Sequence, residues 1–203
     1  MQHELKTENR KLITGLFFGS FNPIHIGHLV IANYMASYTN LKEVWFVVSP
    51  HNPLKQKSGL ADMYDRLEMA RLATENAPHL KVSDIEFKLP QPSYTIDTLT
   101  HLKEKYPDKE FALIMGADNL ASFKKWKNYE LLLENHQLFV YPRPGIDLTE
   151  WENHPSVVIT ETPQMEISST FIRNAIKQEK SIQFLVPDAV IDFMDKKSLY
   201  KTL

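Results

Sequence analysis

Hydrophobic positions along the chain fall into two alternating kinds of run. Short, nearly unbroken apolar stretches occupy positions 12–18 (LITGLFF), 43–48 (EVWFVV), 111–115 (FALIM), 138–141 (LFVY) and 157–160 (VVIT). Runs this short, rich in β-branched and aromatic residues, predict strands covered on both faces. Positions 82–87 (VSDIEF) alternate well enough to predict a sixth strand. Between these runs apolar residues recur at helical spacing. They do so from Ile26 (Leu29, Val30, Ala32, Met35) and, behind Asp62 as a cap, at Met63, Leu67, Ala70, Leu72 and Ala73. Ser93, Tyr94 and Thr95 open a third helix that runs to Tyr106, and two more span Ser169 to Lys177 and Pro187 to Lys196. Strands alternating with helices predict an α/β fold: a Rossmann-like doubly wound parallel sheet with a small C-terminal helical part. In such sheets ligands gather beyond the carboxyl ends of the strands. The turn-rich stretches 19–25, 49–59, 116–119 and 142–145 all follow a predicted strand, which points to one composite site.

Composition narrows the class without changing this picture. A chain of 203 residues, 43% hydrophobic, suffices for one well-packed domain over residues 1–203, with the helical part from about residue 165 onward. A net charge of −2 argues against a dedicated nucleic-acid binder, which carries a basic excess. With no cysteine there are no disulfides and no thiolate metal sites, which suits the cytoplasm. The polar opening MQHELKTENRK lacks the apolar core of a signal peptide. No apolar run approaches the ~20 residues needed to span a bilayer. The expectation is a soluble, cytoplasmic protein without nucleic-acid or membrane partners. Its oligomeric state is left open, a homo-oligomer included.

The stretch GLFFGSFNPIHIGHLVIANY, residues 15–34, reads as strand, tight loop and helix. The first turn of a helix exposes unpaired N–H groups and the positive end of the dipole, so it attracts anions. Gly19 and Gly27 would let a phosphate approach the backbone. His25 and His28, three apart, share one face of that first turn. Taken singly, either histidine could merely cap the helix or fill a polar gap. Paired beside an anion site, they can donate hydrogen bonds to phosphate oxygens and share developing charge.

Other constellations follow later strands. Ser168, Ser169 and Thr170 can cap a helix or leave its N–H groups to a phosphate, and Arg173 shares their face. Lys55 and Lys57 lie in the loop after the second strand, where lysines are ordinarily solvated but could also reach a triphosphate. Asp118 sits at a strand end, and Trp126 stands among lysines (KKWKNY), as a partly buried anchor or as a platform for a planar ring.

The string Gly19-Ser20-Phe21-Asn22-Pro23-Ile24-His25-Ile26-Gly27-His28 resembles the signature of the (T/H)xGH nucleotidyltransferase superfamily. It departs from the usual G-G-T-F-D-P-x-H form with Phe18 for the first Gly, Ser20 for Thr and Asn22 for Asp. Residues 167–173 (ISSTFIR) resemble the superfamily's ISSTxIR element. Pro92-Ser93-Tyr94-Thr95, Gly116-Ala117-Asp118-Asn119-Leu120 and Trp126 resemble the P-S-Y-T, G-x-D-x-L and Trp elements of bacterial nicotinate-nucleotide adenylyltransferases. The likeness runs from about Leu12 to about Tyr200.

This resemblance implies transfer of AMP from ATP to nicotinate mononucleotide, giving deamido-NAD and pyrophosphate, with Mg²⁺ carried on the ATP phosphates. It implies that His25, His28, Lys55 and Arg173 supply the catalytic charge. Gly19, Ser20, Phe21, Gly27, Ser169, Thr170 and Arg173 would contact ATP. His51, Asn52, Tyr94, Thr95, Asp118 and Trp126 would contact the acceptor, the Thr95 backbone on the pyridine carboxylate and Trp126 on the ring. Alternatives are an adenylyltransferase for nicotinamide mononucleotide or phosphopantetheine, and a catalytically silent nucleotide-binding protein. The HIGH tetrapeptide also occurs in class I aminoacyl-tRNA synthetases, but the chain is short, near-neutral and without a KMSKS-like loop.

Overall fold

A computed structural model describes residues 12–50 and 59–201. Six strands form one sheet: β1 (Ile13–Gly19), β2 (Glu43–Val48), β3 (Leu80–Ser83), β4 (Glu110–Gly116), β5 (Leu138–Tyr141) and β6 (Val157–Ile159). Their order is β3-β2-β1-β4-β5-β6, and every pairing is parallel. The helices are α1 (Ile26–Tyr38), α2 (Met63–Thr74), α3 (Thr95–Lys105), α4 (Ala117–Leu120), α5 (Tyr129–Asn135), α6 (Ser169–Lys177) and α7 (Asp188–Lys196). The strand order reverses between β1 and β4, which is where a doubly wound sheet opens a crevice. Among the described residues no helix is long and apolar enough to cross a membrane.

Strand residues alternate between two buried layers, as a sheet covered on both faces requires. Phe17, Phe46, Ile114 and Phe139 face α1, α2, α6 and α7, while Leu16, Val47, Leu113 and Val140 face Leu99 and Leu102 of α3 and Leu132 of α5. Ile172, Ala175, Val190 and Met194 from the two last helices belong to the same cluster as Phe17 and Phe46.

Two elements differ from the sequence reading. The strand expected over 82–87 occupies Leu80–Ser83, and Ile85–Lys88 form a 3₁₀ turn. Ser83 ends it, its hydroxyl accepting from the Ile85 N–H (3.3 Å) and turning the chain away from β2. The turn expected over 116–119 is a short helix over Ala117–Leu120, and α5 had no counterpart in the pattern. Seven residues make fewer than two turns, too few for a helical period to show.

At the amino end of the sheet, Glu43 ties three elements together. It accepts from Thr14 Oγ1 (3.1 Å) and pairs with Lys109 (2.7 Å) and Lys81 (2.6 Å). Burial would raise its pKa, but the hydrogen bonds and charges of Lys109 and Lys81 outweigh that and lower it to about 2. The folded value lies below the unfolded one, so the stabilisation is complete above about pH 4.5 and is lost as pH falls toward 2. Glu43→Gln should cost about 1–2 kcal/mol at pH 7, after discounting for the exposed lysines. Urea unfolding of both proteins at pH 7 and pH 3 checks this, the difference shrinking at the lower pH.

Candidate active site

The loop after β1 turns sharply into α1. Phe21 adopts φ 43°, and a side chain on Gly19 would meet its ring at 2.8 Å. Phe21 is buried against Phe46 (5.2 Å between ring centres) and offers its edge to His28 (5.1 Å). His25 caps α1, and its ring stacks on that of His28, with centres 3.7 Å apart and planes 23° apart. A side chain at Gly27 would press on the His25 ring at 3.1 Å, so the stack depends on glycine between the two histidines. The His25 backbone N–H donates to His28 Nδ1 (3.3 Å), so a neutral His28 carries its proton on Nε2.

His25 is 5% exposed, and its Nδ1 has no hydrogen-bond partner among the described residues. Burial, then the Arg143 charge, pulls its pKa down to about 4, so it is neutral at pH 7.

Two cavities meet at this point. The smaller, about 530 Å³ including its open mouth, lies between His25, Gly27 and His28, the turn Tyr141–Pro144 and the segment 162–167. The larger, about 1670 Å³ including its open mouth, lies over the carboxyl ends of β1 and β4. It takes in Gly19, Ser20, Phe21, Tyr94, Thr95, Asp118, Trp126 and Ser169. His28, Tyr141 and Arg143 line both.

In the larger cavity the start of α3 is open, because its first residue follows Tyr94, whose side chain makes no capping bond. Trp126 is half-buried against Phe123 (5.2 Å) and lies beside Lys127, whose ammonium sits 4.7 Å over the Tyr94 ring and pairs with Asp97 (2.9 Å). Asp118 faces Arg143 (3.7 Å) across the floor.

The second motif lies against the first. Ser168 caps α6 by accepting from the Phe171 N–H (3.1 Å), and Ser169 donates to the Pro23 carbonyl (2.9 Å). Arg173 donates to the Asn22 carbonyl (2.8 Å) and to Thr170 Oγ1 (3.3 Å). The structure therefore brings the motifs together, with Ser169 at the larger cavity, while Thr170 and Arg173 line neither cavity and brace the histidine loop from behind. His51, Asn52, Lys55 and Lys57 lie outside the described residues.

Sequence reasoning missed three contributors. Arg66 is buried, 1% exposed, and donates to the carbonyls of Ala61 (3.0 Å), Ser20 (2.7 Å), Ser49 (2.7 Å) and Pro50 (2.8 Å). Its signal was an arginine on the apolar stripe of a helix, three after Met63 and four before Ala70. Arg143 stacks on Tyr141 (5.1 Å) in the turn-rich stretch 142–145. Glu86, buried in the larger cavity's wall, accepts from Thr98 Oγ1 (3.0 Å), and burial pushes its carboxyl up against that bond.

Residues 16–175 match the family described as Cytidylyltransferase-like. A probable nicotinate-nucleotide adenylyltransferase of Flavobacterium johnsoniae is 56% identical over 189 residues, covering 92% of this chain and 98% of the relative. One from Christiangramia forsetii is 53% identical over 195 residues, covering 95% and 100%. Among solved structures, the nicotinic acid mononucleotide adenylyltransferase of Plasmodium falciparum complexed with NaAD shares the fold, with a TM-score of 0.78. It is 20% identical, with 93% of this chain and 97% of that one covered. The chain thus belongs to the cytidylyltransferase-like family and, within it, to the nicotinate-nucleotide adenylyltransferases.

Proposed function

We propose that the two cavities hold ATP and nicotinate mononucleotide, and that the chain transfers AMP to the acceptor phosphate, giving deamido-NAD and pyrophosphate. The observation that carries this reading is the wall of His28, Tyr141 and Arg143 common to both cavities. Two ligands bound on either side would bring their phosphates together there.

The smaller cavity suits the ATP side, where the start of α1 would meet a polyphosphate. The larger suits the acceptor. The uncapped N–H groups at the start of α3 fit the pyridine carboxylate better than an amide, and Trp126 can stack on the ring. The acceptor phosphate is anionic at pH 7, so the protein need supply neither nucleophile nor base. Its work is to align an acceptor oxygen with the α-phosphorus and to offset charge as the phosphorus–oxygen bond to pyrophosphate breaks.

His28, donating through Nε2, and Arg143 would hold oxygens at the reacting phosphorus. His25, neutral and oriented by the stack, would hold a neighbouring phosphate oxygen. Arg173, Ser169 and Thr170 would fix the loop, and Lys55 would add positive charge. Mg²⁺ keeps much of its water and favours substrate oxygens, so it would arrive on the triphosphate and offset charge on the departing pyrophosphate. Among the described residues no group of three or more His, Cys, Asp or Glu is arranged to hold a metal ion.

Incubation with ATP and, in parallel, nicotinate mononucleotide, nicotinamide mononucleotide or phosphopantetheine should yield dinucleotide and pyrophosphate fastest with the acid. Equal or better turnover of another acceptor would replace this reading. His28→Ala should lower kcat by about 10² to 10³ with an unchanged circular dichroism spectrum. Normal turnover would remove His28 from the chemistry. Trp126→Ala should raise the acceptor KM roughly tenfold and leave that for ATP alone. An equal rise for both would place the indole elsewhere.

A further inference from the structure

The last described turn of the chain reaches back to the histidine loop. Tyr200 follows Asn22 by 178 positions, and its hydroxyl donates to Asn22 Oδ1 over 2.6 Å. That oxygen also accepts from the Ala61 N–H (3.1 Å), while Asn22 Nδ2 donates to the Gly59 carbonyl (2.8 Å). Asn22 is 5% exposed, so one buried amide ties the histidine loop to residues 59–61 and to the C-terminal turn. The aspartate usual in the resembling motif could accept the first two bonds but has no N–H for Gly59.

The tail is itself held in place. Tyr200 takes φ 62°, in the left-handed region, and its ring packs on the core cluster that contains Phe17 and Phe46. Lys197 pairs with Asp65 of α2 (3.1 Å), one residue before the arginine that binds the Ser20 and Ser49 carbonyls. Burial raises the Tyr200 pKa well above the usual phenol range against the pull of Arg173 and Arg66, so the hydroxyl stays a donor throughout the neutral range.

We propose that Tyr200 is a positioning residue of the transfer reaction: acting through Asn22, it holds the loop carrying His25 and His28 in register with residues 59–61. The inference rests on the function proposed above. Tyr200 touches neither cavity. Its effect would come through histidine placement, where small displacements of reacting groups are costly.

Tyr200→Phe removes one oxygen and keeps the ring, so the tail can still pack. Steady-state kinetics of the full chain with ATP and nicotinate mononucleotide should show kcat down roughly tenfold. Both KM values should stay within about twofold and Tm within about 4 °C, a small shift for a chain of this size. In an Asn22→Ala background the same change should cost nothing further, since the partner is gone.

An unchanged kcat in Tyr200→Phe would overturn the inference. So would a fall that merely tracks the folded fraction, or a full effect persisting in the Asn22→Ala background. Wild-type turnover is the control that separates the two levels. Its absence would overturn the proposed function, and this inference with it, whereas an active wild type with an equally active Tyr200→Phe would overturn this inference alone.

Discussion

Every strand of a parallel sheet empties at the same rim, and each departing loop brings carbonyl groups that need partners once water is excluded. Here guanidinium groups meet that need. Arg66 binds four carbonyls from three separate segments, and Arg173 binds a fifth. Only arginine offers enough N–H donors in a fixed plane to do this from one side chain; a lysine at 66 would leave buried carbonyls unmet. Burial lowers the Arg66 pKa, with Tyr200 and Asp62 opposing. Two of these carbonyls, those of Ser20 and Asn22, belong to the loop that carries the histidines.

Much of the fold was legible because its strands are buried on both faces. Runs such as FALIM carry no polar residue to blur them, and β1, β2, β4 and β5 lie where the pattern placed them. The pattern failed where tertiary contacts overruled local alternation. Ile85 and Phe87, two apart, look like one face of a strand, yet Ser83 had already turned the chain. The short helices escaped because they are too brief to repeat.

The site was legible in its motifs and obscure in its support. His25, His28 and Ser169 carry local signatures; the two histidines stack, and Ser169 donates to the Pro23 carbonyl in the same loop. Arg173 was expected on a phosphate, and in the structure its guanidinium donates to the Asn22 carbonyl of the histidine loop. Arg66 and Tyr200 act chiefly through residues distant in sequence, the Ser20 carbonyl and the Asn22 side chain, which no local window joins to them. An arginine on an apolar helix face was the one visible anomaly.

The wall shared by the two cavities carries a consequence for ligands that span it. Each half of such a molecule raises the effective concentration of the other at its own pocket, so a linked compound binds more tightly than either fragment wherever its bridge matches the span. The tethered reaction product is one such compound. Its escape then requires both halves to let go together, since a half that leaves alone is held near its pocket by the other.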